Sequence, residues 1–199
     1  MTQGAIAQGS GRFEDADGWA QTFDSASRDV WQKPEEVIRA LRLAPDMTVA
    51  DIGAGTGYFS ARLARAVPVG RVFAIDMEPG MVAHLRQRVV RERLENVRVI
   101  QATSAGPGLP EAVDLVLLVN VQGLVVNPGD YFARLKRDLK PGGRVAIIAA
   151  RVEADRGAPP EMRAPPERVM DDMRRQGYVL DATHDFLQHQ YFLVFRQQP

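Results

Sequence analysis

The chain has 199 residues, 45% of them hydrophobic and 25% charged, which suits one globular domain with a full core. Its 25 Lys and Arg balance 25 Asp and Glu, so no net field draws it to nucleic acid or to an anionic membrane. It has no cysteine, which excludes disulfides, thiolate metal sites and a cysteine nucleophile.

Residues 1–12 are small, polar and Gly-rich, with neither the basic nor the apolar region of a signal peptide, and are expected to form a disordered tail of a cytoplasmic protein. No apolar run reaches the roughly 18 residues that cross a bilayer. Residues 13–45 read as a helical segment anchored by Trp19, Phe23, Val30 and Trp31. Within it Pro34, followed by Glu35 and Glu36, marks a helix start. Val37, Ile38, Leu41 and Leu43 are expected to face the core.

From there strands and helices alternate. Strands are expected at Met47–Ile52, Arg71–Ile75, Val97–Gln101, Val113–Val119 and Arg144–Ala150. Helices are expected at Tyr58–Ala66, Pro79–Leu94 and Asp130–Leu139, the second burying Met81, Val82, Leu85, Val89 and Val90. Lys140–Gly143 reads as a turn. Such alternation means βαβ units and a parallel sheet. The end differs: a helix over Pro166–Gln176 precedes strands at Tyr178–Thr183 and Gln190–Arg196, too close together to be anything but antiparallel.

The most informative stretch is Asp51-Ile52-Gly53-Ala54-Gly55-Thr56-Gly57-Tyr58, a strand end running into a helix through alternate glycines. Glycine lets backbone approach a ligand, and a helix start offers free N–H groups. A dinucleotide-binding turn would read G-x-G-x-x-G, but Tyr58 takes the place of its third glycine. Asp76 ends the second strand on the order of 20 residues past the glycines.

With acidic Asp51 in front, the turn resembles motif I of the class I S-adenosylmethionine-dependent methyltransferases. Asp76, the segment Val113–Asn120 and the turn Leu139-Lys140-Pro141-Gly142-Gly143-Arg144 resemble further motifs of that family. Arg28–Pro34 and the end segments 184–187 and 190–195 also resemble a bacterial group of small methyltransferase-like proteins. The resemblance covers roughly residues 28–196 and implies a Rossmann-like α/β three-layer sandwich. Its sheet would have seven mostly parallel strands in the order 3-2-1-4-5-7-6, with strand seven antiparallel. One domain would span 13–199, with 13–45 as an N-terminal lid.

The resemblance implies S-adenosyl-L-methionine as cofactor and S-adenosyl-L-homocysteine as product, held by Asp51, Gly53, Ala54, Gly55, Gly57, Tyr58, Asp76, Met77, Thr103, Ser104 and Asn120. Asp76 would bind both ribose hydroxyls, since a carboxylate takes two donors at once. Two departures stand out. Where many members carry an acid for the adenine amino group, this chain reads Gln101-Ala102-Thr103-Ser104. After strand four, relatives in the narrower group carry a Tyr-His-His-like segment; here Asn120-Val121-Gln122-Gly123-Leu124 offers no imidazole.

The implied function is therefore methyl transfer to a small-molecule acceptor, without a metal, by a monomer or homodimer that binds neither nucleic acid nor membrane. Because the sulfonium activates its own methyl group, alignment and water exclusion suffice where no base is present. His184 and Gln122 are the candidate catalytic residues, and Trp31, Gln32 and Gln122 the candidate acceptor contacts. Trp31 also reads as core filler and Gln32 as a helix cap. The alternative function is a catalytically altered methyltransferase fold that binds a cofactor or a partner.

Overall fold

The computed structural model describes residues 16–103, 106–121 and 127–198. The expected tail over 1–12 and the candidate residues Ser104 and Gln122 lie outside them.

The N-terminal segment forms three short helices rather than one: α1 (Ala16–Phe23), α2 (Ala26–Gln32) and α3 (Pro34–Ala40). Ser25 caps α2 by accepting the Ser27 N–H at 3.3 Å. Lys33, at φ 45°, breaks the helix before Pro34, which occupies the first turn of α3 as its locked φ favours. Val37 and Leu41 are fully buried, but Val30 is 79% exposed and is no anchor. It points away from the sheet because Gln32, on the opposite side of α2, is the residue turned inward.

The alternating region gives β1 (Thr48–Ile52), α4 (Tyr58–Ala66), β2 (Arg71–Asp76), α5 (Pro79–Arg91), β3 (Val97–Gln101), β4 (Val113–Val119), α6 (Pro128–Leu135) and β5 (Leu139–Ala150). Then follow α7 (Pro166–Arg175), β6 (Tyr178–His184) and β7 (Gln190–Gln197). The seven strands form one sheet in the order β3-β2-β1-β4-β5-β7-β6. All neighbours through β5 are parallel; β7 runs antiparallel to both β5 and β6. This is the expected topology.

Three elements have boundaries other than expected. Helix α6 starts at Pro128, and after Leu135 the chain tightens into a 3₁₀ turn, Lys136–Asp138, instead of continuing to Leu139. The segment Lys140–Gly143 lies within β5 as an irregularity: Val113 pairs with Leu139, but Leu115 pairs with Arg144. Opposite it, Asp114 accepts both the Lys140 ammonium and the Thr48 N–H at 2.7 Å. Helix α5 likewise stops at Arg91, and Val90 is 78% exposed.

Successive side chains of the inner strands feed opposite faces. Val49, Leu115, Leu117 and Ile148 pack with Val37, Leu41, Phe59 and Leu63. Ala50, Val116, Leu118 and Ile147 pack with Phe132, Leu135, Val169 and Met173. Covered on both faces, β1 is buried at every position, as a central parallel strand must be. Among the described residues no helix is long and apolar enough to cross a membrane.

Candidate cofactor and acceptor site

The carboxyl ends of β1, β2 and β4 converge where glycines 53, 55 and 57 turn the chain. All three have positive φ, at 73°, 57° and 86°. The turn is tied to β2: the N–H groups of Gly53 and Ala54 both donate to the Ile75 carbonyl, at 2.8 and 2.9 Å. Gly55 N–H donates to Asp76 Oδ2 at 2.8 Å, and Glu78 N–H to Asp76 Oδ1 at 3.0 Å. Asp76 is thus brought to the turn, as its position in the sequence suggested.

The glycines serve different ends. A Cβ at Gly53 would lie 2.5 Å from Val121 Cγ2, and one at Gly57 2.8 Å from Leu85 Cδ2, so both are bare for packing. At Gly55 the nearest atom would be Phe23 Cδ2 at 3.5 Å. Phe23 therefore lies over the turn. Asp24 holds it there, accepting the Thr56 hydroxyl at 2.9 Å and the Arg88 guanidinium at 3.0 Å.

Asp51, 2% exposed, accepts the Ser60 hydroxyl at 2.6 Å. Burial pushes its carboxyl up to about 6; the Ser60 bond pulls downward, and the Asp76 carboxylate adds to the rise. Burial raises the Asp76 carboxyl as well, opposed by its main-chain donors. Oδ2 accepts from Gly55 and Oδ1 from Glu78, the Met77 N–H also acts on the carboxylate, and the four lone pairs of the two oxygens still leave acceptor capacity for a ribose hydroxyl.

Met77 follows Asp76 and packs against the α6/α7 core. Thr103 exchanges main-chain hydrogen bonds with Gly106 beyond β3, while Ala102 N–H donates to the Asp76 carbonyl.

Four further candidates have these surroundings. Tyr58 turns to the N-terminal helices: its hydroxyl donates to Asp29, and its ring lies between the guanidiniums of Arg28 and Arg62, at 3.9 and 4.2 Å. Gln32 neither caps a helix nor faces the turn; fully buried, it donates to Gln190 Oε1 at 3.0 Å. Trp31 is half-buried rather than core, edge-on to His189, which pairs with Asp155 at 2.9 Å. His184 sits on β6, three strand spacings from β4, roughly 14 Å across the sheet. Its ring packs 4.6 Å from Phe192, and burial together with Arg42 lowers its basicity. It is not brought to the turn.

Asn120 follows β4 at φ 58°, with its N–H on the Ile148 carbonyl at 2.8 Å. Its side chain leans toward β7, where Gln190 Nε2 donates to its Oδ1 at 3.0 Å. Arg28 completes this line by donating Nε to Gln32 and Nη1 to the Phe23 carbonyl, and burial lowers it to about 10. Sequence reasoning gave Arg28 and Gln190 no role, although both lie in segments that resemble the bacterial group and residues 28 and 32 share a helix face. A cavity of about 420 Å³ opens beside α2, lined in part by Arg28 and Trp31. Past β5, Arg163 gathers the segment 152–158, donating to the carbonyls of Val152, Ala154 and Ala158.

Residues 49–143 match a family described as a methyltransferase domain. The chain is 34% identical over 144 residues to an arsenite methyltransferase of Halobacterium salinarum, covering 71% of this chain and 36% of that protein. It is 30% identical over 129 residues to a malonyl-[acyl-carrier protein] O-methyltransferase of Hahella chejuensis, covering 63% and 44%. The chain therefore spans less than half the length of these two curated relatives. Among solved structures, a SAM-dependent methyltransferase from Aquifex aeolicus superposes with a TM-score of 0.84 at 27% identity, over 90% of this chain and 97% of that one. Human N-acetylserotonin methyltransferase in complex with SAM shares the fold, with a TM-score of 0.73 at 18% identity, over 94% of this chain and 58% of that one.

Proposed function

The chain belongs to the class I S-adenosylmethionine-dependent methyltransferase family, and we propose that it methylates a small-molecule acceptor at the carboxyl end of its sheet. The observation that carries this reading is the closure of the glycine turn on Asp76: main-chain N–H groups fix the carboxylate at the turn and leave it acceptor capacity for a ribose hydroxyl. Asp76 binds the ribose diol. The bare main chain from Gly53 to Gly57 receives the amino-acid end, with Asp51 buried behind it. Met77 and Thr103 flank the adenine, and Asn120 marks the border between cofactor and acceptor.

The bound sulfonium supplies an already activated methyl group. The protein has to align the acceptor and keep water out, which needs no imidazole. Phe23 and Val121 cover the turn from two sides, so the N-terminal helices act as a lid that must yield before the cofactor enters.

Isothermal titration of the full chain with S-adenosylhomocysteine tests the reading. Binding that Asp76→Ala abolishes is the expected result. A wild-type chain that stays silent at high concentration overturns it.

A further inference from the structure

Arg28 Nε donates to Gln32 Oε1, Gln32 Nε2 to Gln190 Oε1 at 3.0 Å, and Gln190 Nε2 to Asn120 Oδ1 at 3.0 Å. The direction of this line is not free. A guanidinium has donors and no acceptor, so the Gln32 oxygen must face Arg28 and its NH₂ must face onward. The same reasoning fixes Gln190 and then Asn120. Gln32 and Gln190 are both fully buried, so water cannot substitute for either partner.

At its far end, the Asn120 NH₂ donates to nothing among the described residues, and it is not among their buried unpaired atoms. Asn120 is half-buried, and its NH₂ stands at the carboxyl end of β4, one residue before the Val121 that packs on Gly53. A chain of aligned hydrogen bonds starting at a permanent cation polarises each successive donor in the same sense. Such a donor favours an anionic oxygen, through a charge-assisted bond, over an amine.

Resting on the methyltransferase reading, we infer that Arg28, Gln32 and Gln190 are positioning residues that hold the Asn120 NH₂ outward as a binding site for a carboxylate. That carboxylate belongs either to the amino-acid end of the cofactor or to the acceptor.

Gln190→Glu provides the test, because an ionised carboxylate still accepts from Gln32 but cannot donate to Asn120. Asn120 must then flip and turn its oxygen outward. Gln190→Met removes both bonds without imposing a direction. In side-chain amide NMR of the full chain, the Asn120 NH₂ protons should exchange freely in the wild type. They should become protected in Gln190→Glu as pH rises through the new carboxyl's ionisation. Protection already present in the wild type overturns the inference.

Titration then identifies the source. If S-adenosylhomocysteine weakens tenfold or more in ionised Gln190→Glu, and 5′-methylthioadenosine, which lacks the amino-acid end, does not, the carboxylate is the cofactor's. If S-adenosylhomocysteine is unaffected but malonate binding to its complex falls tenfold, the carboxylate is the acceptor's. A change in neither overturns the inference, as does an equal loss in Gln190→Met, which points to packing alone. A wild type that binds no S-adenosylhomocysteine sinks the methyltransferase reading; the exchange measurement and malonate alone still decide the donor.

Discussion

The main-chain N–H of Gly55 and the Oδ2 of Asp76 meet at 2.8 Å, joining the end of one strand to the turn after its neighbour. Oδ1 of the same carboxylate is taken by Glu78 N–H. Asp76→Asn can keep only one of these bonds, because its NH₂ must face the other N–H donor. Leaving a buried donor unmatched costs about 1–3 kcal/mol, which thermal denaturation will read as a lowered midpoint. S-adenosylhomocysteine should bind at least ~10-fold more weakly, or about 1.4 kcal/mol. An unchanged dissociation constant removes Asp76 from the proposed site.

Alanine at two glycines should separate folding from binding. Gly53→Ala drives a Cβ to 2.5 Å from Val121 at φ 73°, so the chain should lose several degrees of thermal stability. Gly55→Ala meets only Phe23 at 3.5 Å and pays the left-handed strain of about 1–2 kcal/mol. Its main effect should be on S-adenosylhomocysteine affinity. Calorimetry and melting curves on the pair check this, and the reverse ranking would refute the division of roles.

Asp51 predicts a pH signature. Its carboxyl ionises near 3.8 in an exposed state and near 6 in the fold, so the folded chain holds the extra proton between those values. Stability from this group is therefore full below 3.8 and lost as pH rises through about 6. The difference amounts to about 3 kcal/mol. Asp51→Asn, which still accepts from Ser60, should show a shallower fall in melting temperature between pH 4 and 7 than the wild type. Parallel curves would mean that the carboxyl is not shifted.

Arg163 should govern the segment after β5. Its guanidinium serves three carbonyls between residues 152 and 158, while Gly157 packs on Ala150, where a Cβ would come to 3.0 Å. Arg163→Ala should raise hydrogen exchange in 152–158 about tenfold or more while leaving β1 and β4 unchanged, since local opening draws on local bonds. Uniform change across the sheet would instead indicate global destabilisation.

Much of this fold is legible because its inner strands carry their own burial signal. Val113–Val119 is almost entirely apolar, and glycines mark the turn after β1. The same local reasoning misjudged Val30 and Val90, which keep helical spacing but face solvent, because periodicity says which residues share a face and not which face is covered. It ended α6 late, since the 3₁₀ turn at Lys136–Asp138 has no strong breaker ahead of it.

The site divides along the same line. Asp51, the glycines and Asp76 are near in sequence or lie at the ends of adjacent parallel strands, so strand order alone brings them together. The contact between Gln32 and Gln190 spans 158 residues and joins two side chains of a type common on surfaces. The surroundings of Tyr58 and His184 were illegible for a related reason: their partners, Asp29 with Arg28 and Phe192 with Arg42, come from elements distant or unpredictable as neighbours in the sequence. The sequence by itself determined which segments become strands and helices and where the acidic glycine turn lies, because hydrophobic period and backbone freedom are local properties; the strand order entered only through the resemblance to the family and is confirmed by the sheet. Only the tertiary structure decided where the polar side chains point, because the direction of a buried hydrogen bond is set by whichever partner packing brings within reach.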